Sequence, residues 1–195
     1  MSRAQRACDV VGASAGLAVF GPAMVAIVVA IAIDDGWPVF FRQERIRLRR
    51  RPFQILKFRT MRDGTVTRVG RVLRGTGLDE IPQFINILRG DMSAVGPRPL
   101  TAADIGRFGW NSPAFDFRWS ARPGLTGLAQ LLGATANGDA LALDRIHATM
   151  WSLSLDCRCI AWSFAVNVFG KTRVRQYLRR RLQFAVRERP AQSFR

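Results

Sequence analysis

The residues best suited to chemistry are two adjacent carboxylates, Asp79 and Glu80, set between Arg71 and Arg74 on one side and Arg98 on the other. Acids among arginines, in a chain of formal net charge +16, suit an anionic substrate. An ionised carboxylate can act as a nucleophile, and a neighbouring one can hold a metal ion. After the pair, Ile81, Phe84, Ile85 and Leu88 recur at helical spacing, which predicts a short helix with one buried face and the acids in or just before its first turn. Pro82 suits that position, where helical N–H groups lack partners in any case. A helix N-terminus offers free donors and partial positive charge, so it favours a bound phosphate and keeps a nearby carboxylate ionised. Arg74 and Arg98 are candidates for bidentate phosphate contacts, with Pro97 and Pro99 stiffening the backbone on both sides of Arg98. Singly, each feature has an ordinary explanation: an Asp-Glu pair complements a helix dipole, and Pro-Arg-Pro makes a stiff loop. Their combination in one segment reverses that reading.

Further segments join this one in a fixed order: Arg6 to Asp9, Pro38 to Gln43, Lys57 to Met61, Leu78 to Gln83, Gly90 to Ser93, Gly96 to Pro99, Arg122 to Gly127 with Gln130, and Ser152 to Asp156. Together they resemble the bacterial sugar transferase family, the monotopic phosphoglycosyl transferases that start glycan assembly on polyprenyl phosphate, over roughly the first 170 residues. The resemblance implies that Asp79 attacks the β-phosphorus of a nucleotide diphosphate sugar, expels the nucleoside monophosphate and becomes a covalent aspartyl phosphosugar. Polyprenyl phosphate, usually undecaprenyl phosphate, then takes the sugar phosphate in a ping-pong reaction. Glu80, with Asp79, is the implied Mg2+ site, and Arg74, Arg98, Lys57, Arg59 and Arg122 are the implied phosphate-neutralising groups. Pro97, Pro99 and Gln130 complete the implied substrate site. The product would enter exopolysaccharide, O-antigen or glycoconjugate assembly, with UDP as the usual nucleotide and downstream glycosyltransferases as further partners.

These groups need elements to position them, and 48% hydrophobic residues beside so much positive charge point to a membrane or nucleic acid as partner. The run from Val10 to Ile33 has no formal charge and would measure roughly 36 Å as a straight helix, enough for a bilayer core of about 30 Å. Gly21-Pro22 breaks it near the middle, and arginines flank both ends, so a simple span would leave one basic flank on the wrong side. A kinked helix entering and leaving by the cytoplasmic face satisfies both, and the family is re-entrant in this way. The family usually has serine before that proline, where this chain has Gly21. A cleaved signal peptide and a plain single span are the alternatives.

Val39 to Arg45 and Phe53 to Arg59 read as two strands of a hairpin turned by Arg47 and Arg49 to Arg51, where the family usually carries glycines. The loop before Gly70-Arg71 is shorter than is usual in the family. Trp110 to Trp119 reads as an aromatic loop lying against lipid or nucleotide, with Pro113 as its breaker. From Ala140 to Val168, with Trp151, Trp162 and Phe164 among its aromatics, Asp156 and Arg158 favour an amphipathic helix at the interface over a second span, with a buried structural helix as the rival. The basic tail from Lys171 to Arg189 interleaves Val174, Tyr177, Leu178, Leu182 and Phe184, which suits adhesion to anionic lipid, with nucleic acid as the rival partner.

Three features are decoys. Gly170-Lys171-Thr172 ends a permissive Walker A pattern that lacks the glycines a phosphate cradle needs. Cys157 and Cys159 with Cys8 lack a second ligand pair for zinc, and His147, the sole histidine, reads as structural. The expected fold is α+β and mainly helical: a monotopic membrane protein with an N-terminal re-entrant helix, a small β-hairpin and interfacial amphipathic helices at the cytoplasmic face of the bacterial inner membrane. Residues 1–35 form the membrane helix, 36–170 the catalytic domain and 171–195 the basic amphipathic tail. The alternative function is a catalytically silent basic adaptor for membrane or nucleic acid.

Overall fold

The computed structural model describes residues 3–134, 138–149 and 152–187. Helix α1, Arg3–Asp35, is the one described helix long and apolar enough to cross a membrane. It runs through Pro22, which lacks the N–H that would bond back to Ala18. Both of its halves pack on the same body. Ala13 joins a cluster of Phe53, Ile55, Ile87 and Met92, whereas Ile27 and Ile31 join Val39, Phe58 and Leu73. Between these anchors α1 touches Phe84, whose ring stacks on Phe20 with centroids 6.4 Å apart.

The expected hairpin forms from β1, Phe40–Ile46, and β2, Pro52–Phe58, antiparallel with Phe40 opposite Phe58 and Ile46 opposite Pro52. The arginine-rich turn between them holds Arg49 and Arg50 at positive φ, near 59° and 55°. That is the left-handed region where glycine costs least, which gives a physical reason for the family's usual glycines at this turn. A two-residue pair follows, β3, Met61–Arg62, and β4, Thr65–Val66. Helix α2, Arg68–Thr76, is capped at its start by the Thr67 side chain accepting from Gly70 N. A single 3-10 turn, Leu78–Glu80, leads to α3, Gln83–Arg89.

Strand β5, Ser93–Val95, precedes α4, Ala102–Arg107, which Thr101 and Asp104 cap reciprocally. A 3-10 segment, Pro113–Ser120, leads to β6, Gly124–Thr126, which pairs with β5 in parallel. Here the structure departs from expectation: Trp110 and Trp119 are not laid out in an open loop but are buried with Leu100 and Ile105. Their flat rings are the largest apolar bodies available to fill the space under this segment, which has no long helix of its own.

Four helices close the chain: α5, Leu128–Leu132; α6, Gly138–Thr149; α7, Leu153–Phe169; and α8, Lys171–Arg187. The helical stretch expected from Ala140 to Val168 is therefore two helices, and Trp151 lies outside the described residues. Asp156, one of the charges that suggested an interfacial helix, is buried, and Cys159 packs with Val95 and Leu131. That face of α7 is structural, while Leu153, Ile160 and Phe164 on another face of the helix are exposed. On α8, Val174 is buried and Tyr177 meets Trp162 at 5.4 Å between centroids. Arg175 and Arg179 donate to the Gln130 and Leu132 carbonyls at the end of α5, at 3.4 and 3.0 Å. The tail's first part is thus a docked helix, and residues 188–195 lie outside the described set. The glycine-lysine pattern at 170–171 is a helix-to-helix break with no strand before it, which is not the setting of a phosphate-binding loop.

Candidate active site

The site is assembled where α2, β2 and α3 converge. Helix α2 ends at Gly77, whose φ of 75° turns the chain sharply into the 3-10 turn that carries Asp79 and Glu80. That turn is tied down by Ile81 and Leu78 packing inward, and α3 begins immediately after Pro82. The dyad therefore sits just before the N-terminus of α3, as the helical spacing implied.

On the hairpin, side chains alternate between faces, which puts Lys57 on the same face as Phe53 and Ile55. Phe53 and Ile55 bury into the core. Lys57, further along, reaches Glu80 with Nζ 2.5 Å from Oε1. Asn86 holds this geometry: it is fully buried in α3, accepts from Leu56 N at 2.9 Å and donates to the Gln54 carbonyl at 2.8 Å. One amide side chain thereby joins the helix that follows the dyad to the strand that carries Lys57.

Burial, and then the negative charge of Glu80, raise the Asp79 carboxyl above its ordinary range, while Lys57, a backbone hydrogen bond and Arg74 oppose them. The pair is thus a half-shielded anionic point with cationic neighbours, Arg74 standing exposed in the last turn of α2. Arg45 of β1, on the Lys57 face of the hairpin, is depressed by burial, with Asp104 opposing, and feels both Arg98 and Glu80. Arg45 thus lies electrostatically between the Pro-Arg-Pro loop and the dyad. It also donates to Gln43 Oε1 at 2.5 Å and to the Pro99 carbonyl at 3.1 Å. Sequence reasoning passed over Gln43 and Arg45 as site residues. The period-2 register that places them beside Lys57 is the signal that finds them.

Arg98 projects outward between buried Pro97 and Pro99, beside a cleft walled by Arg47, Arg118, Trp119 and Pro123. The loop rests on the Arg122–Gly127 segment: Gly96 N donates to the Thr126 carbonyl and Gly124 N to the Pro97 carbonyl, each at 2.9 Å. A Cβ at Gly96 or Gly124 would collide with the facing backbone, so the two motifs need glycine because they lie back to back.

Three expected substrate groups are engaged elsewhere. Arg59 pairs with Asp35 at 2.7 Å and donates to the Asp35 and Gly36 carbonyls, so it fastens the end of α1. Arg122 is depressed first by burial, and its charged neighbours are Arg6, Asp9, Arg47 and Asp91. That places it near the C-terminal end of α3, about 10 Å of helix away from the dyad. Gln130 donates to the Gly124 carbonyl at 3.5 Å, beneath the glycine motif. Conversely, Arg6 and Asp9 gain a structural role. Arg6 donates to the Ile87 and Leu88 carbonyls at 2.5 and 2.6 Å, satisfying the end of α3, and buried Asp9 accepts from Ser93 Oγ and Ala94 N, both at 2.9 Å.

Among the described residues no group of three or more His, Cys, Asp or Glu side chains is gathered as a metal cage, and Cys8 and Cys157 are exposed as free thiols. Two carboxylates suit Mg2+ all the same, since this ion commonly takes one or two protein carboxylates together with substrate phosphates. The mutual repulsion that raises Asp79 is the kind of charge a bound cation relieves.

The family model for bacterial sugar transferases matches residues 1–170. The chain is 41% identical over 177 residues to the UDP-glucose:undecaprenyl-phosphate glucose-1-phosphate transferase of Caulobacter vibrioides, covering 80% of this chain and 66% of that protein. It is 34% identical to the protein of the same name from Escherichia coli, over 80% of this chain and 38% of that one. To the exopolysaccharide production protein ExoY of Rhizobium meliloti it is 35% identical, over 78% of this chain and 80% of that protein. The chain thus spans less than two fifths to about two thirds of the two named glucose-1-phosphate transferases, and most of the third relative. With the match running from the α1 anchors through the dyad, the Pro-Arg-Pro loop and α7, the chain belongs to the bacterial sugar transferase family.

Proposed function

We propose that this protein transfers a sugar 1-phosphate from a nucleotide diphosphate sugar, with UDP as the nucleotide, to undecaprenyl phosphate. The observation that carries the reading is the dyad itself: a half-buried Asp79 beside Glu80, with Lys57 on Glu80, Arg74 near Asp79, and Arg45 coupled to both Glu80 and Arg98. A carboxylate raised by desolvation is a better nucleophile than a fully solvated one. Relatives named as UDP-sugar to undecaprenyl-phosphate transferases support the same substrates.

In the first step an Asp79 carboxylate oxygen forms a bond to the β-phosphorus, the bond from that phosphorus to the bridging oxygen breaks, and UMP leaves with the electron pair. In the second, a phosphate oxygen of undecaprenyl phosphate attacks the same phosphorus and Asp79 is released as carboxylate. Arg98 and Arg74 hold the diphosphate charge, and Lys57 keeps Glu80 oriented beside the nucleophile. Mg2+ held by Glu80 and Asp79 would neutralise diphosphate charge and assist departure of UMP.

We read α1 as a monotopic, re-entrant membrane helix on the cytoplasmic face. Packing of both its halves on one body supports placing both ends on the same side, and Val11, Val19, Val25, Val29 and Ile33 offer an apolar outer surface to lipid. Anionic lipid is the partner of the basic α8. The silent-adaptor alternative gains nothing from a structure in which the dyad is intact and charge-matched. Release of UMP from a panel of UDP-sugars, dependent on undecaprenyl phosphate and on Asp79, tests the activity; no release from any UDP-sugar overturns it.

A further inference from the structure

Arg98 lies between two prolines, so its neighbours supply no backbone N–H with which to hold the loop. The loop is held by its carbonyls. That of Pro97 accepts from Gly124 N at 2.9 Å, that of Arg98 from Arg118 Nη2 at 2.6 Å, and that of Pro99 from Arg45 Nη1 at 3.1 Å. Three consecutive carbonyls are thus gripped by three separate elements. The first grip belongs to the paired glycine motifs and the last to a residue of the site. The middle one comes from a side chain with no place in the chemistry described so far.

Arg118, on the 3-10 segment before β6, has a side chain only 5% exposed, and its Nε donates at 2.7 Å to Asp144 Oδ2 on α6, itself 4% exposed. Its guanidinium also lies near the buried rings of Trp110 and Trp119, 5.4 and 5.3 Å from their centroids. Behind it, His147 of the same α6 hydrogen-bonds the backbone of Val95, in the strand that leads to the loop. Burying an ion pair gains little net stability, because desolvation offsets the attraction and apolar residues of similar volume often do as well. An apolar pair cannot donate to the Arg98 carbonyl.

We propose that Arg118, locked in place by Asp144, is a positioning residue that fixes the backbone of Arg98 and so aims the Arg98 side chain at the substrate diphosphate. The inference rests on the transferase reading for what Arg98 binds, and on the geometry alone for what holds Arg98. Arg118 touches no substrate; it acts by setting the direction in which the Arg98 side chain leaves the backbone. Its planar fork suits the task, because Nε and Nη2 can satisfy Asp144 and the carbonyl at once, whereas the single ammonium of lysine cannot reproduce that paired geometry.

The test is a double-mutant cycle in the full chain, in detergent, comparing Arg118→Lys, Arg98→Ala and the two together by kcat/KM with a UDP-sugar. Arg118→Lys should lower kcat/KM by about 10–100-fold with Arg98 present, since small misplacements of a binding group are costly. It should change the rate less than about twofold when Arg98 is already alanine, because the group it positions is gone. The same fold-loss in both backgrounds, or no loss in the first, overturns the proposal. Should Arg118→Lys fail to fold, Asp144→Asn is carried through the same cycle. Hydrogen exchange gives an arm independent of activity: Arg118→Lys should accelerate exchange in residues 93–101 and leave α2 and α3 unchanged. Acceleration throughout the body, or none in that segment, counts against the positioning role. Absence of turnover in the unmodified protein defeats the transferase reading alone, and the exchange result still decides whether Arg118 holds the loop.

Discussion

Replacing Asn86 by alanine should damage stability and activity together, because one buried amide sets the relation between α3 and β2. The substitution deletes the acceptor for Leu56 N and the donor for the Gln54 carbonyl, bonds of 2.9 and 2.8 Å. Each stranded backbone group costs about 1–3 kcal/mol, and partial access of water to the strand places the sum at about 2–4 kcal/mol. For a chain of this size each kcal/mol moves Tm by about 2–4 °C, so thermal unfolding in detergent should show a drop of roughly 5–15 °C. Leu56 adjoins Lys57, so loosening the strand also frees Lys57 from Glu80, and kcat/KM should fall by about 10–100-fold even well below the new Tm. The conservative Asn86→Asp should do no better, since it sets a carboxylate oxygen against the Gln54 carbonyl. A Tm within about 2 °C of the parent and an unchanged rate for Asn86→Ala would refute the reasoning, leaving the hydrophobic cluster around Ile87 as the sole tie.

Burial and Glu80 raise the Asp79 carboxyl, so the folded protein holds that proton more tightly than the unfolded chain; stability falls as pH rises from the unfolded to the folded value, and the penalty persists at neutral pH. Asp79→Asn should therefore unfold at a higher temperature than the parent at neutral pH while losing turnover; a lower Tm contradicts this. Since the nucleophile must be ionised, the acid limb of kcat/KM should lie above the ordinary carboxylate range, and Lys57→Met should push it higher; a limb shifted downward in that variant counts against the assignment. Cysteines placed singly at Ser2 and Arg51, in a background without native cysteines, should resist an impermeant thiol reagent outside intact cells and react after lysis; labelling of position 2 from outside defeats the re-entrant reading.

The chemistry was more legible in the sequence than the scaffold that aims it. Aromatic and β-branched enrichment located the hairpin and helical spacing located α3, the two elements between which the structure sets the dyad and Lys57. A cation in a motif looks the same whether it neutralises phosphate or fastens a helix end, so the partners of Arg59 and Arg122, Asp35 for one and the Arg6–Asp9 region for the other, could be read only from the structure. Arg118 and Asp144 are 26 positions apart and on different elements, so no local pattern links them. The aromatic segment is a related case: read as a loop lying against lipid or nucleotide, it instead buries Trp110 and Trp119 with Leu100 and Ile105, residues at least ten positions from Trp119. In each case the missing information was long-range packing.

The central claim, a covalent aspartyl intermediate, is tested most directly by intact-mass and peptide analysis after brief incubation with a UDP-sugar in the absence of undecaprenyl phosphate. The account predicts a mass gain of one phosphosugar located on the peptide bearing Asp79, discharged when undecaprenyl phosphate is added and absent from Asp79→Asn. Turnover that requires both substrates at once with no adduct on Asp79, or normal turnover by Asp79→Asn, would contradict it.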